Sequence, residues 1–375
     1  MNNNSLLCKF INEHPDTWRQ ELEEKKIKIK EDGPFAIFSY DAFADFHDPI
    51  VQEARGIIID IFKLNVLCWP FRKFGNYNES YADEIDWSTA RVQEKIDGSI
   101  IKLWNNSRLR DRCWTFSTNN NIYAKDSLYC QETGGSFLDL IKSAENYSKI
   151  DFNSLDPDYT YIFELVGPHN RVVINYEKPY LYHIGTRNNK TGEEVNIDIG
   201  IEKPKEYPLT RFDQCIVAAF ELNKDKYFVE HEGFVVVDSN WHRIKIKSPD
   251  YLAVHRMIDN NTDTKKHFID LIITDNDGEI ERTLEDFPKY KTYYLFYKYK
   301  LAELVYEVGE FMEYTKHLYE EYSFERKAVA LQIKDEKYKR FGFMALDNNE
   351  LKAKDVIYNM TSKQLDQFIP DYEKP

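Results

Sequence analysis

The 375-residue sequence has little cysteine and spends it in no pattern. Its five cysteines, Cys8, Cys68, Cys113, Cys130 and Cys215, include no Cys-x-x-Cys pair. That sets aside a disulfide framework and a cysteine zinc site, and it suits a reducing cytosol. No apolar run is long enough to span a bilayer, and the opening MNNNSLLCKFINEHPDTW has no signal-peptide apolar core. A soluble, cytoplasmic chain with no membrane partner is expected, in the host cytoplasm if the source is viral. A basic surplus is also missing: 50 Lys and Arg against 64 Asp and Glu leave a net charge of −14. This argues against nonspecific nucleic-acid binding, which normally shows as excess positive charge. It leaves room for a local cluster of cations, which a polyphosphate site needs. The sequence has no internal repeat and no low-complexity tract.

What is there is 42% hydrophobic and 15% aromatic residues, enough for packed cores and unlike a disordered chain. The length exceeds one typical core, so two domains are expected. Residues from about 1 to 30, with TWRQELEEKKIKI, read as helix. From GPFAIFSYD onward, short β-rich segments alternate with turns, among them FAIFSY, RGIIIDIF, SIIKLW, YTYIFELVG, EGFVVVD and HRIKIKS. Two helices interrupt them, GSFLDLIKSA and TRFDQCIVAAFEL; in the second, Phe212, Ile216, Ala219 and Phe220 share a face. After Ser248 the strands stop. The longest of the helices that follow places Leu301, Val305, Val308, Met312 and Tyr319 near one face. The expected division is an α+β domain over 1–250 and an all-α domain over 251–375.

One lysine is out of place. Val92–Trp104, VQEKIDGSIIKLW, reads as buried strands around a turn, yet Lys95 sits in it. A buried lysine is costly unless it is paired or its pKa falls. It either turns outward to pair with Glu94 or Asp97, or it is a nucleophile. Lys-x-Asp-Gly alone is weak, arising by chance in about one such chain in ten. Its company strengthens it. YIFELVGPHN puts Glu164 in an apolar strand, HEGFVVV puts Glu232 at the mouth of another, and RIKIKS puts Lys245 and Lys247 on one strand face. EARGIII gives Arg55 at a strand start, and FRKFGNYNE gives Lys73. Met alone, a strand Glu pairs with a surface Lys and a Lys-x-Lys face is a solvated edge. Together, in this order, they make sense as one site.

The chemistry needs these types. An ordinary lysine is only about 0.04% neutral near pH 7, a cost of roughly 4.6 kcal/mol before it can attack. Lys245 and Lys247 are expected to lower the pKa of Lys95 by like-charge repulsion and then to hold substrate phosphates. Each such contact is worth about 4 kcal/mol gross near an effective dielectric of 20. Glu164 and Glu232 suit Mg²⁺ or ribose hydroxyls. The set describes a lysine that becomes covalently nucleotidylated.

At these residues the sequence resembles the covalent nucleotidyltransferases: RNA ligases, DNA ligases and mRNA capping enzymes. EKIDGS, FELVGPHNRVV, EGFVVV and RIKIKS look like their motifs I, III, IV and V. IFSYD, EARGIII, KFGNYNE and TRNNKTGE look like the bacteriophage T4 RNA ligase 1 family in particular. The resemblance covers roughly 35–250. DNA ligases and capping enzymes normally place a β-barrel after motif V, whereas helices stand here. The resemblance implies an α+β adenylyltransferase domain with antiparallel sheets, followed by an all-helical RNA-specificity domain. It implies an ATP-dependent RNA ligase in RNA or tRNA repair, monomeric, using Mg²⁺ (or Mn²⁺). It would join RNA 5′-phosphate and 3′-hydroxyl ends, possible substrates including broken tRNA. Lys95 would form lysyl-AMP. Glu94 would lie along the adenine, and Gly98 would admit the nucleotide. Glu164 would contact ribose or metal, and Glu232 metal. Lys245 and Lys247 would hold the α-phosphate, with Arg55 and Lys73 toward the phosphates. Asp277 is a candidate for the metal shell.

Two positions depart from the family. Its Ser-Lys-Gly turn lysine is Asn119 here, with Lys125 a candidate substitute, and Gly75 replaces the second Phe of Lys-Phe-Phe-Asn. The competing readings are a DNA ligase or capping-type enzyme, and a noncatalytic RNA-binding repair protein. TYYLFYKYK, at 292–300, could stack single-stranded bases, but more often such a segment is helix core with solvated lysines.

Overall fold

The computed structural model describes residues 5–106, 113–130, 135–224, 229–259, 264–274, 284, 288–334 and 337–372. The chain divides into two units, Met1–Tyr251 and Leu252–Pro375.

The first unit is built on antiparallel sheets. β1 (Ile27–Asp32), β2 (Phe35–Tyr40), β3 (Arg55–Asp60) and β4 (Asn65–Cys68) pair in chain order. Strands β2 and β3 are apolar on both faces because both faces are covered. Ala36, Phe38, Ile57 and Ile59 pack beneath Leu7, Ile11, Trp18 and Leu22 of the helices Leu6–Glu13 and Trp18–Glu24. Phe35, Ile37 and Ile58 pack on Trp104 and Ile122. The expected single helix over 1–30 is thus two short helices and a strand. Lys26, at φ 63°, ends the helical run, and the alternation of Ile27 and Ile29 with lysines then pairs against β2.

Two more sheets form the rest of this unit. One has the order β12 (Glu194–Val195), β11 (Tyr180–Asn188), β10 (Tyr159–Val166), β6 (Ser99–Asn106) and β7 (Cys113–Ser117). The other has β13 (Glu206–Tyr207), β5 (Arg91–Glu94), β14 (Gly233–Val237) and β15 (Arg243–Lys247). β8 (Leu128–Cys130) and β9 (Gly135–Ser136) make a small hairpin. The expected helix at 135–144 is Phe137–Lys142, entered through a Ser136–Asp139 capping box.

The helix Phe212–Glu221 corrects one sequence expectation. Cys215 and Ala219 are its buried residues, whereas Phe212 and Phe220 are exposed. The helix packs through small side chains on Val92, Phe234 and Val236, where close approach excludes the larger rings.

The described elements of the second unit are all helices. Its longest helix, Pro288–Glu321, buries Tyr294, Tyr297, Leu301, Leu304, Val308 and Met312 against Phe268, Ile272, Phe341 and Ile357. Tyr294 and Tyr297 therefore belong to a core, while Leu295 and Tyr299 of the same stretch are exposed. No described helix is long and apolar enough to cross a membrane.

Candidate active site

The register of one hairpin gathers the charged groups. β14 pairs with both β15 and β5, setting Gly233 opposite Lys247, Val235 opposite Lys245, and Phe234 opposite Glu94. The Lys95 backbone N–H then donates to Gly233 O at 2.9 Å. Lys95, just past β5, and Glu232, just before β14, are thus brought together although 137 positions apart. On the facing sheet, Glu164 of β10 pairs with Ile100 of β6, which follows the Lys95 turn.

These walls enclose a cavity of about 800 Å³, a size suited to a small-molecule ligand. Arg55, Glu94, Lys95, Gly98, Glu164, Lys245 and Lys247 all line it. Phe71, Phe74, Ile100, Ile184 and Val235 supply an apolar wall. A methyl group on Gly98 would lie 2.3 Å from Leu165 O, so the close approach this glycine permits is to β10.

The electrostatics correct the expected activation of Lys95. Its Nζ donates to Glu232 Oε2 at 2.7 Å, while Lys247 Nζ lies 2.9 Å from Glu232 Oε1. Burial alone pulls the Lys95 pKa down, but Glu232 and then Glu164 outweigh it, and the net shift is upward. A carboxylate at hydrogen-bond distance beats cations farther off. The depressed lysine is Lys245, pushed down to about 6 by burial and then by Arg55, Lys73, Lys95 and Lys247. Its Nζ stands 4.8 Å over the Phe74 ring. Glu164 moves the other way: burial raises its carboxyl to about 7, despite Lys95.

Other expected residues are placed differently. Lys73 is set back from the cavity wall, its Nζ 4.7 Å over Phe46 and 5.5 Å over Tyr40. Glu94 lines the cavity but pairs with His231 Nδ1 at 2.8 Å. Asn119 also lines it, and its Oδ1 is buried without a partner. Lys125 is exposed, with Nζ 5.2 Å over Tyr123 and off the wall, so it does not stand in for a lysine at 119. At Gly75, Ala82 and Tyr81 occupy the space a larger side chain would need. Asp277 lies outside the described residues.

Three groups were given no site role from the sequence. Asp97 is buried and accepts from Val173 N, Ile174 N and the Tyr251 hydroxyl, at 2.9, 2.8 and 2.7 Å. It ties the Lys95 turn to the 173–174 segment and to Tyr251. Its place in Lys-x-Asp-Gly was the available signal. Arg243 lines the cavity in a bidentate pair with Glu194 at 2.9 and 2.6 Å. Lys102 is wholly buried beneath the wall.

Comparison with known proteins agrees with this constellation. The model of the RNA ligase family matches residues 53–306, about two thirds of the chain and all the charged groups above. The chain belongs to the RNA ligase family, of the bacteriophage T4 RNA ligase 1 type. An RNA ligase of Rhodothermus phage RM378 is 25% identical to it over 417 aligned positions, covering 91% of each chain. A protein of Autographa californica nuclear polyhedrosis virus, provisionally named a bifunctional polynucleotide kinase/RNA ligase, is 30% identical over 254 residues. That match covers 62% of this chain and 35% of the viral protein. Among solved structures, an archaeal ATP-dependent RNA ligase superposes with a TM-score of 0.45 and 11% identity. It covers 74% of this chain and 72% of the other.

The donor set of this family member fits a divalent cation shared with a phosphate ligand. Glu164 is a buried carboxylate without a hydrogen bond among the described residues, and its raised pKa marks unmet demand for positive charge. Glu232 is already occupied by two lysines. Among the described residues, no three His, Cys, Asp or Glu side chains converge as a ready metal site. Oxygens from phosphate and water would have to complete the shell.

Proposed function

We propose that the chain is an ATP-dependent RNA ligase whose nucleophile is Lys95. The observation that carries this reading is Lys95 at the cavity wall, hydrogen-bonded to Glu232, with Lys245 and Lys247 on the adjoining strand face. The Lys95 ammonium loses its proton to solvent, the amine forms a P–N bond to the α-phosphorus of ATP, and the bond from that phosphorus to the bridging oxygen breaks as pyrophosphate leaves. An oxygen of an RNA 5′-phosphate then attacks the AMP phosphorus, breaking the P–N bond. A 3′-hydroxyl finally attacks the activated RNA phosphate and releases AMP.

The residues divide this work. Lys245 has no carboxylate partner among the described residues, so a phosphate oxygen would supply its ammonium with a counter-charge. Lys247 and Arg55 add positive charge on the same wall. Glu232 holds Lys95 in place while keeping it protonated until substrate arrives. Phe71, Phe74 and Ile184 exclude water from one side. Mg²⁺, or Mn²⁺, held by Glu164 and Glu232 would neutralise those carboxylates and shield the α-phosphate.

We assign residues 1–251 to adenylyl transfer and the helical 252–375 to RNA selection, with a role in RNA or tRNA repair. A sealing assay tests the reading. RNA bearing a labelled 5′-phosphate and a 3′-hydroxyl should become phosphatase-resistant with ATP and magnesium, while a nicked DNA duplex should not. Sealing of DNA but not RNA would overturn the substrate assignment.

A further inference from the structure

The strand behind the cavity carries a cation that the reaction outlined above does not use. Lys102 lies in β6, opposite Ile162 on one side and Ser117 on the other. Its neighbours on the same strand face are Ile100, which lines the cavity, and Trp104, which belongs to the core against the first sheet. An apolar residue is what that position calls for. Lys102 has no exposed surface, and no carboxylate pairs with it among the described residues. Burial, with Arg55 adding to the effect, pushes its pKa down to about 8.

The ammonium instead holds two backbone carbonyls. It donates to Gly56 O at 2.9 Å and to Thr118 O at 2.7 Å. The three segments touch: a methyl group on Gly56, whose φ is +81°, would stand 2.3 Å from Lys102 Nζ and 2.8 Å from Asn119 Cα. One contact therefore joins the start of β3 to the turn after β7. On the cavity side of the join are Arg55, next to Gly56, and Asn119, next to Thr118, both wall residues. Each has a buried polar atom without a partner, Nε of Arg55 and Oδ1 of Asn119. Buried polar atoms are normally satisfied, and two orphans on one cavity wall, a donor on Arg55 and an acceptor on Asn119, mark a place prepared for a ligand.

We propose that Lys102 is a positioning residue that clamps Gly56 to Thr118, and so holds the Arg55 guanidinium and the amide N–H of Asn119 where the phosphate chain of the nucleotide is received. This rests on the ATP reading of the cavity. It adds a residue that never touches the substrate. The clamp acts on phosphate recognition more than on the nucleoside, because Glu94, Phe71, Phe74, Ile184 and Val235 lie outside the segments it joins, and of the apolar wall Ile100 shares β6 with Lys102.

Binding to the full-length protein without metal, where no transfer occurs, tests the clamp. Lys102→Met keeps the length and removes both donors and charge; Lys102→Gln keeps two N–H donors on a side chain one bond shorter. For Lys102→Met the ATP dissociation constant is expected to rise about tenfold, while that for adenosine changes less than twofold. Lys102→Gln should fall between Met and wild type. Adding Lys102→Met to Arg55→Ala should cost little more than Arg55→Ala alone. Equal weakening of ATP and adenosine, or unchanged ATP binding by a folded variant, overturns the proposal. So does failure of both variants to fold, which would make Lys102 a folding residue. Covalent labelling of the wild type separates the two readings. A wild type that binds ATP but forms no lysyl-AMP contradicts the ligase reading and leaves the clamp standing. Normal labelling with ATP affinity indifferent to Lys102 contradicts the clamp alone.

Discussion

Lys245 is the residue whose state changes most when a phosphate arrives. Its pKa of about 6 makes it mostly neutral at pH 8 in the free protein. A phosphate beside it favours the ammonium and raises that pKa, so binding must take up a proton. Glu164, near 7, is mostly ionised at pH 8 and would also gain protons beside a phosphate, so Glu164→Gln is the control that isolates the Lys245 share. Calorimetry of metal-free ATP binding at pH 8, in buffers of different ionisation enthalpy, should show uptake approaching one proton. Lys245→Met should abolish most of it; equal uptake in that variant would refute the assignment. Glu232 makes the opposite kind of contribution, holding two lysines at once. Glu232→Gln takes the ion-pair partner from both Lys95 and Lys247 and leaves Glu164 as the nearest remaining influence on Lys95. We expect about 3–5 kcal/mol of lost stability in chemical denaturation. Part should return when Lys95→Met is added, because one of the stranded charges is then gone. Adenylylation by Glu232→Gln should fall by orders of magnitude.

The elements explain how far the sequence could be read. Strands β10, β14 and β15 were legible because a charged residue in a β-branched run is conspicuous, and Lys245-x-Lys247 fixes a strand face. Other features were hidden for physical reasons. The segment Ile27–Asp32 looked helical because its lysines and glutamates continue a helical texture, and nothing before the positive φ of Lys26 signals the break. Phe212 and Phe220 looked like a core face because side-chain size, not the depth of the groove beneath them, is what a sequence displays. Lys102 passed unnoticed beside Lys95, since the two carbonyls that hold it come from residues 46 and 16 positions away. The sign of the Lys95 shift is hidden for the same reason: motif order brings Glu232 into the site without telling that its oxygen is hydrogen-bonded to Lys95. Packing between β6 and β10 yields its own test. Gly98→Ala would push a methyl against Leu165 O and lever β6 away from Glu164. A loss of about 1–3 kcal/mol is expected from the denaturation midpoint, and an undisturbed midpoint would show that the strands can part freely.

At the scale of the whole molecule, every described group assigned to adenylyl transfer lies in the unit Met1–Tyr251. The dividing line falls within the helix Pro249–Asp259. Tyr251 must stay with the first unit, because its hydroxyl donates to Asp97. A fragment ending after Asp259 should form lysyl-AMP and lose more activity on a nicked tRNA loop than on a simple oligonucleotide. An unchanged ratio of the two sealing rates in a folded fragment would remove RNA selection from the helical unit. If Asp277 holds metal, the fragment will also label more slowly, and full-length Asp277→Asn would reproduce that slowing.

Central to all of this is a covalent bond at Lys95, and it can be seen directly. The full-length protein incubated with ATP labelled at the α-phosphate and with magnesium, then run on a denaturing gel, should carry the label. Pyrophosphate should remove it. Lys95→Ala should show no band, and neither should Lys95→Arg, whose guanidinium stays protonated. A band of wild-type intensity from Lys95→Ala would contradict the assignment of the nucleophile.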